Sequence, residues 1–116
     1  MHSAPRIIWI AFLALSGSIA LGQAAKKHAV SMKDMAYSPA TLEIKVGDSV
    51  VWTNNDTRDH TVVAAGNAFK SENIRPGGTF SYRFSRAGTF SYGCSYHPRM
   101  KGTIKVTAPT TAPKAN

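Results

Sequence analysis

The chain has 116 residues, and 14 lysines and arginines against 6 aspartates and glutamates give it a net charge of +8 at neutral pH. That length allows one small domain with little room for a substrate cleft, and a single cysteine, Cys94, excludes an internal disulfide. The basic residues are dispersed rather than clustered, which argues against nucleic acid and makes an acidic protein the better partner.

At the amino terminus Arg6 precedes an apolar run, Ile7 to Leu21, and small residues follow in Gly22, Ala24 and Ala25. This order is that of a secretory signal peptide, here residues 1–22. The run has 15 residues, short of the ~20 that a spanning helix needs, so no stable membrane anchor is expected after cleavage. Export to a periplasmic space also removes the chain from nucleic acid. Residues 23–28 lead into a domain over 29–108, and 109–116 form a Pro/Thr-rich tail expected to be disordered.

Inside the domain the hydrophobic period is two, not 3.6. HAVSMKDMAYSP supplies a first strand with Pro39 at its end. In TLEIKV, Leu42, Ile44 and Val46 share a face before Gly47-Asp48 turns the chain. SVVWTN is a strand around Trp52, ended by NNDTRD, and HTVVAA is a short strand starting at His60. After a loop rich in turn formers, TFSYRF puts Phe80, Tyr82 and Phe84 on one face, and TFSYGC does the same with Phe90, Tyr92 and Cys94. GTIKVTA closes the domain with Ile104 and Val106 inward. No helix is expected. Short strands and turns at this spacing predict an all-β antiparallel sandwich or barrel.

The parity has a chemical consequence. Cys94 points inward at the end of its strand, and His60 shares a face with Val62 at the start of another. His97 and Met100 follow Cys94 at steps of three, and Pro98 disfavours a helical conformation at His97. A loop folded back on itself can aim Cys94, His97 and Met100 at one point, and His60 completes a set of one thiolate, two imidazoles and one thioether. Soft sulfur donors select copper, and two histidines with one cysteine and a weak axial methionine form the donor set of a blue copper centre. Zinc accepts Cys and His but gains little from a thioether. Singly, each residue has an ordinary structural explanation: Cys94 and Met100 as packing, His60 as a core or turn histidine, His97 as a surface histidine. The spacing of the four together is what favours a metal.

Three stretches resemble the cupredoxins, most closely the amicyanin/plastocyanin-like small blue copper proteins: YSPATLEIKVGDSVVWTNND, DHTVVA, and PGGTFSYRFSRAGTFSYGCSYHPRMKGTIKV. The resemblance covers nearly all of residues 29–107, and C-x-x-H-x-x-M is its most specific part. It implies a Greek-key β-sandwich holding one type 1 copper near one end, with His60, Cys94 and His97 as strong ligands and Met100 as the axial one. It further implies an electron exit at the edge of His97, within an apolar docking patch drawing on Met35, Tyr96 and Pro98. Asp59 stands where such proteins often have proline, and Arg99 where they often have an apolar residue. Thr61 or Asn55 is expected to hydrogen-bond near the thiolate.

The expected function is an extracytoplasmic, monomeric electron carrier that docks redox partners, not an enzyme. A copper chaperone or store on the same fold is the alternative, with Met32 and Met35 its only candidate surface methionines. A Cys94–His97 nucleophile and base lacks a visible orienting group.

Overall fold

The computed structural model describes residues 24–109. The signal-peptide assignment and residues 110–116 of the expected tail lie outside them. The strands are β1 (Lys27–Lys33), β2 (Ala36–Ser38), β3 (Thr41–Lys45), β4 (Ser49–Asn54), β5 (Val63–Ala64), β6 (Thr79–Arg83), β7 (Gly88–Gly93) and β8 (Lys101–Thr107). They form two four-stranded sheets, ordered β2-β1-β4-β6 and β3-β8-β7-β5. The expected β-sandwich is present, and a single 3-10 turn, Ala65–Asn67, is the only helical piece among the described residues.

Most neighbouring strands are antiparallel, but β1 pairs in parallel with β4 and β3 with β8. The cause is a sheet change. The chain leaves the first sheet after β2, lays β3 in the second, and returns to place β4 beside β1. The first expected strand is also broken in two. Asp34 and Met35 take φ values of 53° and 59°, and the chain reverses there to pair Lys33 with Ala36. Left-handed dihedrals at both central positions match the twist of a two-residue hairpin.

Side-chain alternation fills the space between the sheets. In β4, Val50, Trp52 and Asn54 are buried while their neighbours are half-exposed. Trp52 is fully buried, with its ring 5.7 Å from Phe69, 5.5 Å from Phe80 and 5.4 Å from Tyr92. Burial of one such large apolar side chain contributes roughly 1.5–3 kcal/mol. Phe69, from the loop after β5, packs on Tyr82, Phe84 and Phe90 as well.

The two ends of the sandwich are closed differently. At one pole the buried carboxylate of Asp48 accepts hydrogen bonds from the Lys26 and Lys45 backbone N–H groups and from His28 Nε2, at 3.0, 3.1 and 2.9 Å. Burial pushes this carboxyl up, but the bonds from His28, Lys26 and Lys45 outweigh it and hold the group below its ordinary value. The other pole gathers the end of β4, the end of β7 and the start of β8. It carries every residue of the expected site.

Gly102 shows how tightly β8 is packed there. It is buried, and a Cβ on it would overlap the Cζ and hydroxyl of Tyr92. Gly102→Ala is therefore expected to lower stability by about 1–3 kcal/mol, read as an earlier midpoint in chemical denaturation. An unchanged midpoint would mean that Tyr92 has room to move.

Candidate metal centre

The loop between β7 and β8 explains why the spacing is three. The His97 N–H donates to the Cys94 carbonyl at 3.4 Å, and the Met100 N–H donates to the His97 carbonyl at 2.9 Å. Each step is one β-turn with its i to i+3 bond. The Cys94 N–H donates back to the Met100 carbonyl at 3.3 Å and closes the loop. Cys94 and Met100 are buried, and His97 is half-buried. Cys94 and Met100 also line one open hollow, together with Pro98 and Lys101.

The fourth expected residue comes from the chain between β4 and β5. His60 is fully buried, and its backbone makes two hydrogen bonds with Ile74, at 3.0 and 2.8 Å. Its Nδ1 lies 3.8 Å from Cys94 Sγ, and Nδ1 of His97 lies 3.5 Å from the same sulfur. The donor atoms of His60, Cys94 and His97 all fall within 4.8 Å of one another. The imidazole ring centroids are 5.0 Å apart. Thus three of the expected donors converge, and the buried Met100 closes the base of the same loop.

The segment around His60 departs from the expected strand. His60, Thr61 and Val62 are all buried, so alternation does not apply. The reason is that His60 sits in an isolated bridge to Ile74 and the strand begins only at Val63. The preceding turn is organised by Asn54, whose Nδ2 donates to the carbonyls of Arg58 and Ile74 at 2.8 Å and whose Oδ1 accepts from the Asp56 N–H at 2.9 Å.

Asp56 then reaches His60. Its Oδ2 lies 2.8 Å from His60 Nε2. The hydrogen bond from His60, with backbone bonds from Met35 and Thr57, draws the Asp56 carboxyl down to about 2. An ionised carboxylate only accepts, so Nε2 carries a proton and Nδ1 is the nitrogen that faces Cys94.

Of the two residues expected near the sulfur, Thr61 is there and Asn55 is not. The Thr61 N–H points at Cys94 Sγ over 3.4 Å, and its hydroxyl lies 3.8 Å from the sulfur. That hydroxyl also accepts from the Ser95 N–H at 2.8 Å. Asn55 is exposed and donates to Ser31 Oγ at 2.8 Å. Along β4 the inward position falls on Asn54, which leaves its neighbour facing water. Asp56 and Asn54 escaped the sequence reading, because an Asn-Asn-Asp run looks like an ordinary turn. The only signal was a carboxylate four residues before a histidine.

The exposed residues of the loop and of the Met35 turn are mixed in character. Met35 is 40% exposed and Tyr96 51%, the only exposed large hydrophobic residues among those described. The Tyr96 hydroxyl donates to Asn73 Oδ1 at 2.8 Å. Pro98, Arg99 and Lys101, close to Tyr96 and His97 in the chain, are exposed as well. One thiol sulfur, two imidazole nitrogens and a thioether in this frame form a soft donor set suited to copper.

Thr61→Val keeps the backbone bond to sulfur but leaves the Ser95 N–H without its acceptor. The expected loss is about 0.5–1.5 kcal/mol, together with faster amide exchange at Ser95. Unchanged exchange would show that the loop does not depend on that hydroxyl.

Comparison with known proteins agrees with this geometry. A cupredoxin-like domain family matches residues 6–106. Amicyanin from Paracoccus denitrificans is 34% identical over 82 residues, covering 66% of this chain and 63% of that protein. Plastocyanin from Scenedesmus fuscus is 34% identical over 85 residues, covering 62% of this chain and 87% of that protein. This chain therefore spans less than two thirds of the length of that amicyanin. Among solved structures, a purple cupredoxin from Nitrosopumilus maritimus matches with a TM-score of 0.66 and 29% identity, over 69% of this chain and 99% of that one. A reduced amicyanin variant matches with a TM-score of 0.64 and 34% identity, over 68% of this chain and 80% of that one. From its matched length, its fold and its relatives, the chain belongs to the cupredoxin-like domain family.

Proposed function

We propose that the protein is an extracytoplasmic, monomeric electron carrier with one type 1 copper held by His60, Cys94, His97 and Met100. The observation that carries this reading is the convergence of the Cys94, His60 and His97 donor atoms within 4.8 Å. When bound, copper supplies a one-electron couple between Cu(I) and Cu(II). The residues do the rest. Backbone bonds through the loop and the Ile74 bridge fix the segments that carry the donors, which supports little rearrangement on a change of charge. The Thr61 N–H faces the sulfur over 3.4 Å and helps to orient it. Burial of His60 and Cys94 limits the access of water to those two donors.

His97 is the donor side chain closest to solvent, and the exposed side chains of Met35, Tyr96 and Pro98 support docking on its face. Arg99 and Lys101 beside that patch favour an acidic partner. Four protein donors leave no open position for a substrate, which supports a carrier rather than an enzyme. The names of the relatives, amicyanin and plastocyanin, point the same way. Copper storage or delivery gains less support, because Met32 is fully buried and Met35 is the only exposed methionine among the described residues. The signal-peptide pattern in residues 1–22 supports a periplasmic location.

The deciding experiment adds one equivalent of Cu(II) to the protein and records visible absorption and EPR spectra. An intense visible band with a narrow copper hyperfine splitting, lost on reduction and absent in Cys94→Ser, is expected. A colourless sample, or one in which Cys94 is simply oxidised, would remove the copper reading.

Charge at the face gives a second expectation. Arg99→Glu replaces a cation by an anion near the metal, so it should lower the reduction potential slightly. It should also slow oxidation of the Cu(I) protein by hexacyanoferrate(III) and weaken the inhibition of that reaction by salt. An identical salt dependence would place the encounter on another face.

A further inference from the structure

One carboxylate oxygen serves two parts of the protein that are distant in the chain. Asp56 Oδ2 accepts from His60 Nε2 at 2.8 Å and from the Met35 backbone N–H at 3.1 Å. The carboxylate is itself fixed. Its Oδ1 accepts from the Thr57 N–H at 2.9 Å, and the Asp56 N–H is held by Asn54 Oδ1 at 2.9 Å. A carboxylate oxygen has lone pairs for two donors, so both Oδ2 bonds exist together.

The Met35 end of this bridge is unusual. Met35 and Asp34 both have positive φ, at 59° and 53°. A non-glycine residue held there costs on the order of 1 kcal/mol or more and persists only where its surroundings fix it. The bond to Asp56 is such a fixing contact. The Met35 side chain is also 40% exposed, one of two large hydrophobic side chains on the described surface. At the other end, His60 is fully buried and has no surface of its own through which a partner could reach it.

We propose that Asp56 is a positioning residue that couples the Met35 turn on the docking face to the buried His60 imidazole. The proposal takes its functional meaning from the reading of His60 as a copper ligand, but the bridge belongs to the protein itself. Because both donors share one oxygen, rotation of the carboxylate cannot lengthen one bond without disturbing the other. A partner pressing on Met35 is thereby felt at the imidazole. A change of charge beside His60 alters the pull on the Met35 N–H. Such coupling is reciprocal.

The test follows the His60 ring nitrogens and the Met35 amide by proton–nitrogen NMR in the metal-free and the Cu(I)-loaded protein. In the native chain, His60 should carry its proton on Nε2, the Met35 amide should exchange slowly, and Cu(I) should shift the Met35 signal. In Asp56→Ala the Met35 amide should exchange faster and no longer respond to Cu(I). Copper binding should weaken by about tenfold or more, as for loss of other groups that orient metal ligands. Asp56→Asn keeps one acceptor oxygen without the charge, and should retain part of the Met35 protection even if the alanine variant fails to fold.

The proposal is overturned if Met35 ignores both substitutions, or if Asp56→Ala changes His60 and leaves Met35 as it was. If the native protein binds no copper, the electron-carrier reading fails. The metal-free spectra of the variants still decide whether the bridge exists.

Discussion

The site depends on a contact between two segments 33 residues apart, the Thr61 N–H directed at Cys94 Sγ. One segment carries His60 and the other carries Cys94, His97 and Met100. Neither forms the site alone. The contact is made by a backbone group and is reinforced by the Thr61 hydroxyl, which accepts from the Ser95 N–H. From the first sheet, the Tyr37 hydroxyl donates to the Thr61 carbonyl at 2.7 Å. One residue thus joins the loop, the histidine segment and β2.

That junction stands on the aromatic interior. The Tyr37 ring lies 4.6 Å from Tyr92 in an edge-on arrangement, and Tyr92 packs edge-on against Trp52. These rings come from both sheets, so the sandwich interior sets the separation between the elements that end at the site. Close-packed interiors are stiff, and the stiffness extends to the donors through β7. Under the proposed electron-carrier reading this stiffness is an advantage, since the same donor positions would serve two charge states of an ion.

Much of this was legible in the sequence. TFSYRF and TFSYGC announce their inward faces because the side-chain period of a strand is two, and Tyr92, Phe84 and Cys94 are buried as that parity requires. C-x-x-H-x-x-M was legible because loop spacing and donor chemistry are both written in residue type. Other features have no such signature. Whether two strands run parallel depends on which sheet the chain enters next, which local pattern does not encode. Asn54 and Asn55 are identical in type, and only the phase of β4 decides which is buried. Asp56 reads as a turn former until the fold brings Met35 and His60 to it. His60 is singled out by its chemistry, although the strand expected to carry it does not start until Val63.

The backbone bonds within the Cys94–Met100 loop give it a reading frame. The peptide N–H of His97 is bonded to the carbonyl of Cys94, and that of Met100 to the carbonyl of His97, so chain length between them is counted in whole turns. Substitution at Ser95, Tyr96, Pro98 or Arg99 alters the letters and leaves the frame intact. One inserted or deleted residue shifts every later donor out of phase, much as a frameshift scrambles a message. The surface of this loop is therefore free to diversify by replacement, while its length is not.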